Sequence, residues 1–177
     1  MSSETGPAGA HPLPLGHALI ITIGVIVAIA GFVALGAFLH VGPLYAGFLL
    51  LFVWSALDNL AMKALPAALL GALSGAGLSF LLQTGAAAAS PALIVLALAL
   101  MILALFLVVA GRAALVCNQS TMLFITVLNA PLLQAGEDFR GVAVAIALSA
   151  VWFGTIAWAV GRLTQGPAAA ALAAGDG

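Results

Sequence analysis

Read for its oily and polar positions, the chain is a series of long apolar runs parted by short corners rich in helix breakers. A helix that crosses about 30 Å of hydrocarbon needs about 20 mostly apolar residues. Residues 17–39 supply the first such run. The corner HVGP at 40–43 stops it, because Gly and Pro both break helices. Residues 44–57 form the second run, which is short at fourteen residues. The third, 66–83, opens on Pro66, where the missing N–H of a first-turn proline costs nothing. Pro91 opens the fourth, 92–111, which is apolar at every side chain from Leu93 to Ala110 and closes at Arg112. The fifth run, 113–134, is different in kind: it carries Asn118, Gln119, Ser120, Thr121, Thr126 and Asn129, and then Pro131. The loop AGEDFRG at 135–141 leads to the sixth run, 142–161, which Arg162 closes. This pattern predicts an all-α integral membrane fold with six transmembrane helices over residues 17–162. Residues 1–16 are expected as a disordered tail, and residues 163–177 as a second, Ala-rich one.

The runs fall into two halves, 15–85 and 91–162. Each reads as a long oily helix, a shorter polar-interrupted helix and a small-residue helix. LLFVWSALDN in the first half resembles MLFITVLNAP in the second, and ALSG at Ala72 matches ALSA at Ala147. Three spans per half is an odd number, so two such halves form inverted repeats, an arrangement found in transporters. Low-complexity oily sequence also matches itself by chance, so the likeness alone leaves both origins open.

Composition agrees with the membrane class. Hydrophobic residues make up 65% of the chain and charged ones 5%; a soluble domain carries about 25% charged residues. The net charge of −1 and the lack of a basic run leave no basis for a nucleic-acid partner. The first sixteen residues hold Glu4 but no Lys or Arg, so they lack the basic start of a signal peptide. With six spans, Lys63, Arg112 and Arg162 share one side and Arg140 lies on the other. The positive-inside rule then places both termini in the cytoplasm. Cys117 is the single cysteine, and His11, His17 and His40 have no spacing that makes a metal site, so no metal or cofactor is expected. Tyr45, Trp54 and Trp158 fit aromatic belts at the membrane boundary.

Candidate chemistry lies in two places. Asp58 and Asn59 follow the short second run, with Lys63 five residues on. As a cytoplasmic corner they need no function. As part of a longer helix, Asp58 would sit in hydrocarbon, where a charge costs about 2.5–3.5 kcal/mol and needs a partner or water. The fourteen residues before it span only about 21 Å at ~1.5 Å each, which places Asp58 at or just beneath the interface. The fifth run is the second place. Asn118, Met122, Thr126 and Asn129 recur at helical steps and are expected on one inward face, since an amide facing lipid loses its hydrogen bonds. Pro131 is expected to free the carbonyl of Val127. Interhelical hydrogen bonding is the structural role for these groups, and contact with a solute is the functional one. Ala67, Gly71, Gly75 and Ser79 recur every four residues as a smooth stripe for close helix packing, within the chain or against a second copy in a homo-oligomer.

Two stretches carry a family resemblance. YAGFLLLFVWSALDNLAMKALPAALLGALSGAG has an aromatic followed by AGFL, a turn with a lysine at 63, and LSG within a small-residue helix. GEDFRGVAVAIALSAVWFGTIAWAVG supplies a closing loop and last helix. Here the chain resembles the bacterial small inner-membrane proteins grouped as domain of unknown function 1097. It departs from that pattern at Asp58–Asn59. The resemblance implies a small multi-spanning protein of the bacterial inner membrane and supplies no activity. No arrangement of nucleophile, base and acid points to an enzyme. The residues themselves favour a small-solute or ion transporter or channel subunit, with Asp58, Asn59, Asn118, Thr126 and Asn129 touching solute. The alternative is a non-transporting assembly or structural partner in the bilayer.

Overall fold

The computed structural model describes residues 14–175, so residues 1–13 of the expected N-terminal tail, and 176–177, lie outside the described residues. The described elements are all helices: α1 (Leu15–Phe38), α2 (Tyr45–Ala56), α3 (Leu65–Ala87), α4 (Pro91–Val109), α5 (Gln119–Leu128), the single turn α6 (Pro131–Gln134) and α7 (Phe139–Gly175). Four contain stretches long and apolar enough to cross a membrane: Ala18–Phe38, Leu65–Ala87, Pro91–Val109 and Phe139–Leu163. The helical backbone of α7 continues past Arg162 to Gly175, within the segment read from sequence as a tail.

The second and fifth runs form helices shorter than a full span. α2 has 12 residues and α5 has 10, about 18 and 15 Å of helix against a core of about 30 Å. Both ends of α5 have a local cause. Asn118 is its N-cap, with Thr121 completing a capping box, so the helix cannot begin at Ala113. Pro131 clashes with any continued turn, and the chain leaves the helix at Asn129 before restarting as α6. After α2 the chain turns through two left-handed residues, Asn59 (φ 49°) and Leu60 (φ 58°).

Three long helices end alike. The N–H of Val41 donates to the Gly36 carbonyl (2.9 Å), that of Ser90 to Gly85 (2.9 Å) and that of Arg112 to Leu107 (2.8 Å). In each case the preceding residue is left-handed: His40, Ala89 and Gly111. This is the Schellman closure, which satisfies carbonyls that a helix end would leave bare.

α3 lies at the centre, packed on α4, α5 and α7, while α2 packs chiefly on α7. α1 joins α7 through its second half, where Trp152 Nε1 donates to the Ala28 carbonyl (2.9 Å) and Gly31 faces the Trp152 ring. Phe32 packs edge-to-face on Phe48 and at a tilt on Phe153, at 5.2 and 5.1 Å between ring centres, closing the α1–α2–α7 core. The outer sides of α1 and α4 are bare and oily, with Ile26, Ile102 and Phe106 all exposed. Water-soluble monomers rarely leave apolar surfaces of this extent uncovered.

The contacts also define two ends. At one, α5 starts beside Ala67 near the start of α3, and Gly154 of α7 lies against Leu65. Lys63 and Arg112 flank those helix starts, exposed, and Arg162 follows on the same descending limb of α7. At the other end, Pro43 meets Gly141, Tyr45 bonds Glu137, and Arg140 is exposed.

Candidate functional site

The small-residue stripe of α3 sets the position of α5. A methyl group on Gly75 would come within 2.7 Å of the Thr121 carbonyl oxygen and of Phe124 Cβ, and one on Gly71 would overlap the Asn118 amide. Glycine therefore lets α5 lie directly on α3, with Ser79 buried at the end of the stripe. The partner of Ala67, Gly71, Gly75 and Ser79 is thus α5 of the same chain. A second copy could not use this stripe without displacing it.

Asn118 is fully committed. Its Nδ2 donates to the Ala67 carbonyl (2.7 Å) on α3 and to the Ala114 carbonyl (3.0 Å). Its Oδ1 accepts from the N–H groups of Ser120 (2.9 Å) and Thr121 (3.3 Å). It is a cap and a helix tie, and it does not sit within a helical face as its spacing suggests.

Thr126 is exposed, and its hydroxyl donates to the Met122 carbonyl of its own helix (2.8 Å). A threonine satisfied by its own turn has no need to face inward, so the expected inward face breaks at this residue. Asn59 is likewise exposed, at the corner after α2. Its left-handed backbone explains the residue type, since Asn adopts that conformation more readily than most. Trp54 does not join an interfacial belt: it is buried, and its Nε1 donates to the Ala61 carbonyl (2.9 Å), pinning that corner.

Asp58 lines a cavity of about 200 Å³ at the basic end. The end of α2, the start of α3 and the start of α5 border it, so that Asp58 and Asn118 from the two halves of the chain both line it. Val53, Leu57 and Ala68 supply apolar wall, and Ser120 lines it too. Asp58 is half-buried, and no described side chain bonds or ion-pairs with its carboxylate. Ser120 is 1% exposed, and its Oγ has no hydrogen-bond partner among the described residues. Ser120 was not singled out in the sequence; the signal was its place inside an NQST cap at the foot of a polar run.

Asn129 does not reach this cavity. It caps the opposite end of α5, where Nδ2 donates to Ser79 Oγ (2.9 Å) and to the Ile125 carbonyl (2.7 Å). The Val127 carbonyl, expected to be free, accepts from the Ala130 N–H (3.1 Å). Gln134 Nε2 bonds the Ser79 carbonyl (3.1 Å), and Gln83 Nε2 bonds the carbonyls of Gln134 (2.9 Å) and Glu137 (3.2 Å). Tyr45 OH donates to Glu137 Oε2 (2.5 Å). At this boundary turn, burial first and the bonded carboxylate second hold the Tyr45 phenol above its usual range. These residues form a polar seam that ties α2, α3 and α5 to the loop before α7. Gln83 and Gln134 close the third and fifth runs and Glu137 sits in the most polar loop, but sequence does not reveal that they meet.

Among the described residues, no three His, Cys, Asp or Glu side chains gather to hold a metal ion. No family model, curated protein or solved structure matches the chain, so its resemblance to the domain of unknown function 1097 proteins rests on the quoted residues alone.

Proposed function

We propose that the chain is a small-solute or ion transporter, or a channel subunit, of the bacterial inner membrane, built from two inverted three-helix repeats. One observation carries this: the two short helices change places. α2, from the first half, packs on α7 of the second, and α5, from the second half, packs on α3 of the first. α3 and α7 meet between them, α4 packs on α3, and α1 packs on α7. This matching of partners, α3 with α5 and α4 and α7 with α2 and α1, supports an inverted repeat, and short or interrupted segments at matching positions are where repeat transporters bind their cargo. With their irregular flanks, α2 and α5 complete six crossings. Lys63, Arg112 and Arg162 at one end favour cytoplasmic termini. The cavity at Asp58 opens at that end, between the halves. No catalysis is assigned.

A second role is favoured by one feature. The amides of Asn118 and Asn129 are used for helix ties, as they would be in a non-transporting assembly partner. Flux distinguishes the two. Purified protein in liposomes is expected to pass at least one class of small polar solute or ion faster than protein-free vesicles do. Equal rates across neutral, cationic and anionic small solutes would overturn transport and leave the assembly role.

A further inference from the structure

We infer that the cavity at the basic end binds a short-chain organic ammonium ion, with Asp58 as its counter-charge and Ser120 as a hydrogen-bond acceptor. This deepens the transport proposal and rests on it for the ligand's passage, though not for its binding. Three features of the cavity select that chemistry.

The first is sign. Asp58 is the acidic group lining the cavity, with no described cation paired to it. The helix starts that open there present few free N–H groups to an anion. Those of Ser120 and Thr121 are taken by Asn118, and Pro66 in the first turn of α3 has none. The second is the hydroxyl. Ser120 lines the cavity, and its buried Oγ has no partner among the described residues, an unmet polar group that is costly to leave so. An N–H donor of the ligand meets that need.

The third is the wall itself. Val53, Leu57, Ala64, Ala67 and Ala68 present methyl surface, which suits an alkyl chain. A bare metal cation does not fit this lining. Calcium and magnesium take about six or more oxygen ligands, whereas the side chains here offer one carboxylate, one hydroxyl and the Gln119 amide oxygen, the Asn118 oxygen being already engaged. The cavity, about 200 Å³ in volume, has room for a small ligand.

The test is equilibrium binding to the purified full chain in detergent, by calorimetry, with n-butylammonium chloride as the probe. Butanol, sodium chloride and sodium butyrate are the comparisons. Butylammonium is expected to bind about tenfold or more tightly than any of the three, and Asp58→Asn to weaken it about tenfold or more. Ser120→Ala is expected to weaken it several-fold while Glu137→Gln, at the far end, does not. Thermal unfolding and gel filtration identify any variant that fails to fold. Should Asp58→Asn be one, the Ser120→Ala comparison and the butanol comparison decide. Butanol binding as tightly as butylammonium, or butylammonium binding unchanged by both cavity variants, would overturn the assignment. Butylammonium binding with no flux of any neutral, cationic or anionic solute in liposomes would support it and overturn transport. Flux of neutral solutes with no butylammonium binding would overturn it and leave transport standing.

Discussion

Asn129, at the end of α5, donates through Nδ2 to the hydroxyl of Ser79 on α3 across 2.9 Å, and Ser79 is wholly buried. The bond fastens the upper end of a ten-residue helix that is too short to hold itself in place. Asn129→Ala removes this tie and the one to Ile125. It is expected to lower stability by about 0.6–2 kcal/mol, in the range of interhelical bonds in membranes. Unfolding by denaturant in mixed micelles measures it. A variant as stable as the wild type would remove the structural role given to Asn129.

Gly75 and Gly77 lie on the same helix and make opposite demands. A methyl at 75 meets the Thr121 carbonyl oxygen and Phe124 Cβ at 2.7 Å, while at 77 nothing lies within 4 Å. Because backbone atoms cannot rotate away, Gly75→Ala is expected to push α5 off α3 and cost about 1–3 kcal/mol. Gly77→Ala is expected to be neutral or to stabilise by up to about 1 kcal/mol through helix propensity. Side-by-side melting curves check the pair, and equal effects would refute the packing described.

Tyr45 is the one tyrosine in the chain, so its phenolate absorbance can be followed alone. Burial and its bond to Glu137 raise its pKa above the ordinary value near 10. The folded form therefore holds its proton more tightly than the unfolded chain does. The stability this contributes is complete below pH ~10 and declines as pH rises above it, where the unfolded phenol ionises first. Spectrophotometric titration is expected to find the phenol resisting ionisation at pH ~10 and, in Glu137→Gln, ionising at lower pH than in the wild type. Tyr45→Phe is expected to flatten the alkaline decline. Titration at the ordinary value in the wild type would contradict the bond.

Much of this architecture can be read from the pattern of residues. The four long apolar runs become helices, prolines 66 and 91 lie in the first turns of α3 and α4, and the four-step stripe on α3 is a packing surface. Continuous hydrophobicity, however, does not mark where a helix stops. In the fifth run the cap at Asn118 and the break at Pro131 end α5 inside a run whose apolar residues continue on both sides of it. Helical spacing also misplaces polar groups that satisfy themselves locally, and so Thr126 faces outward. The meeting of Asp58 with Asn118 and Ser120 depends on α5 packing across to the other half of the chain, which spacing along the chain cannot express.

The central claim is that solute passes by way of the cavity between the halves. Flux into proteoliposomes, compared between wild type, Asp58→Asn and Asn129→Ala at matched folded protein, tests it most directly. Wild type is expected to exceed protein-free vesicles, with Asp58→Asn reduced about tenfold or more and Asn129→Ala retaining most of its rate once folded. Equal flux in wild type and Asp58→Asn would contradict the account.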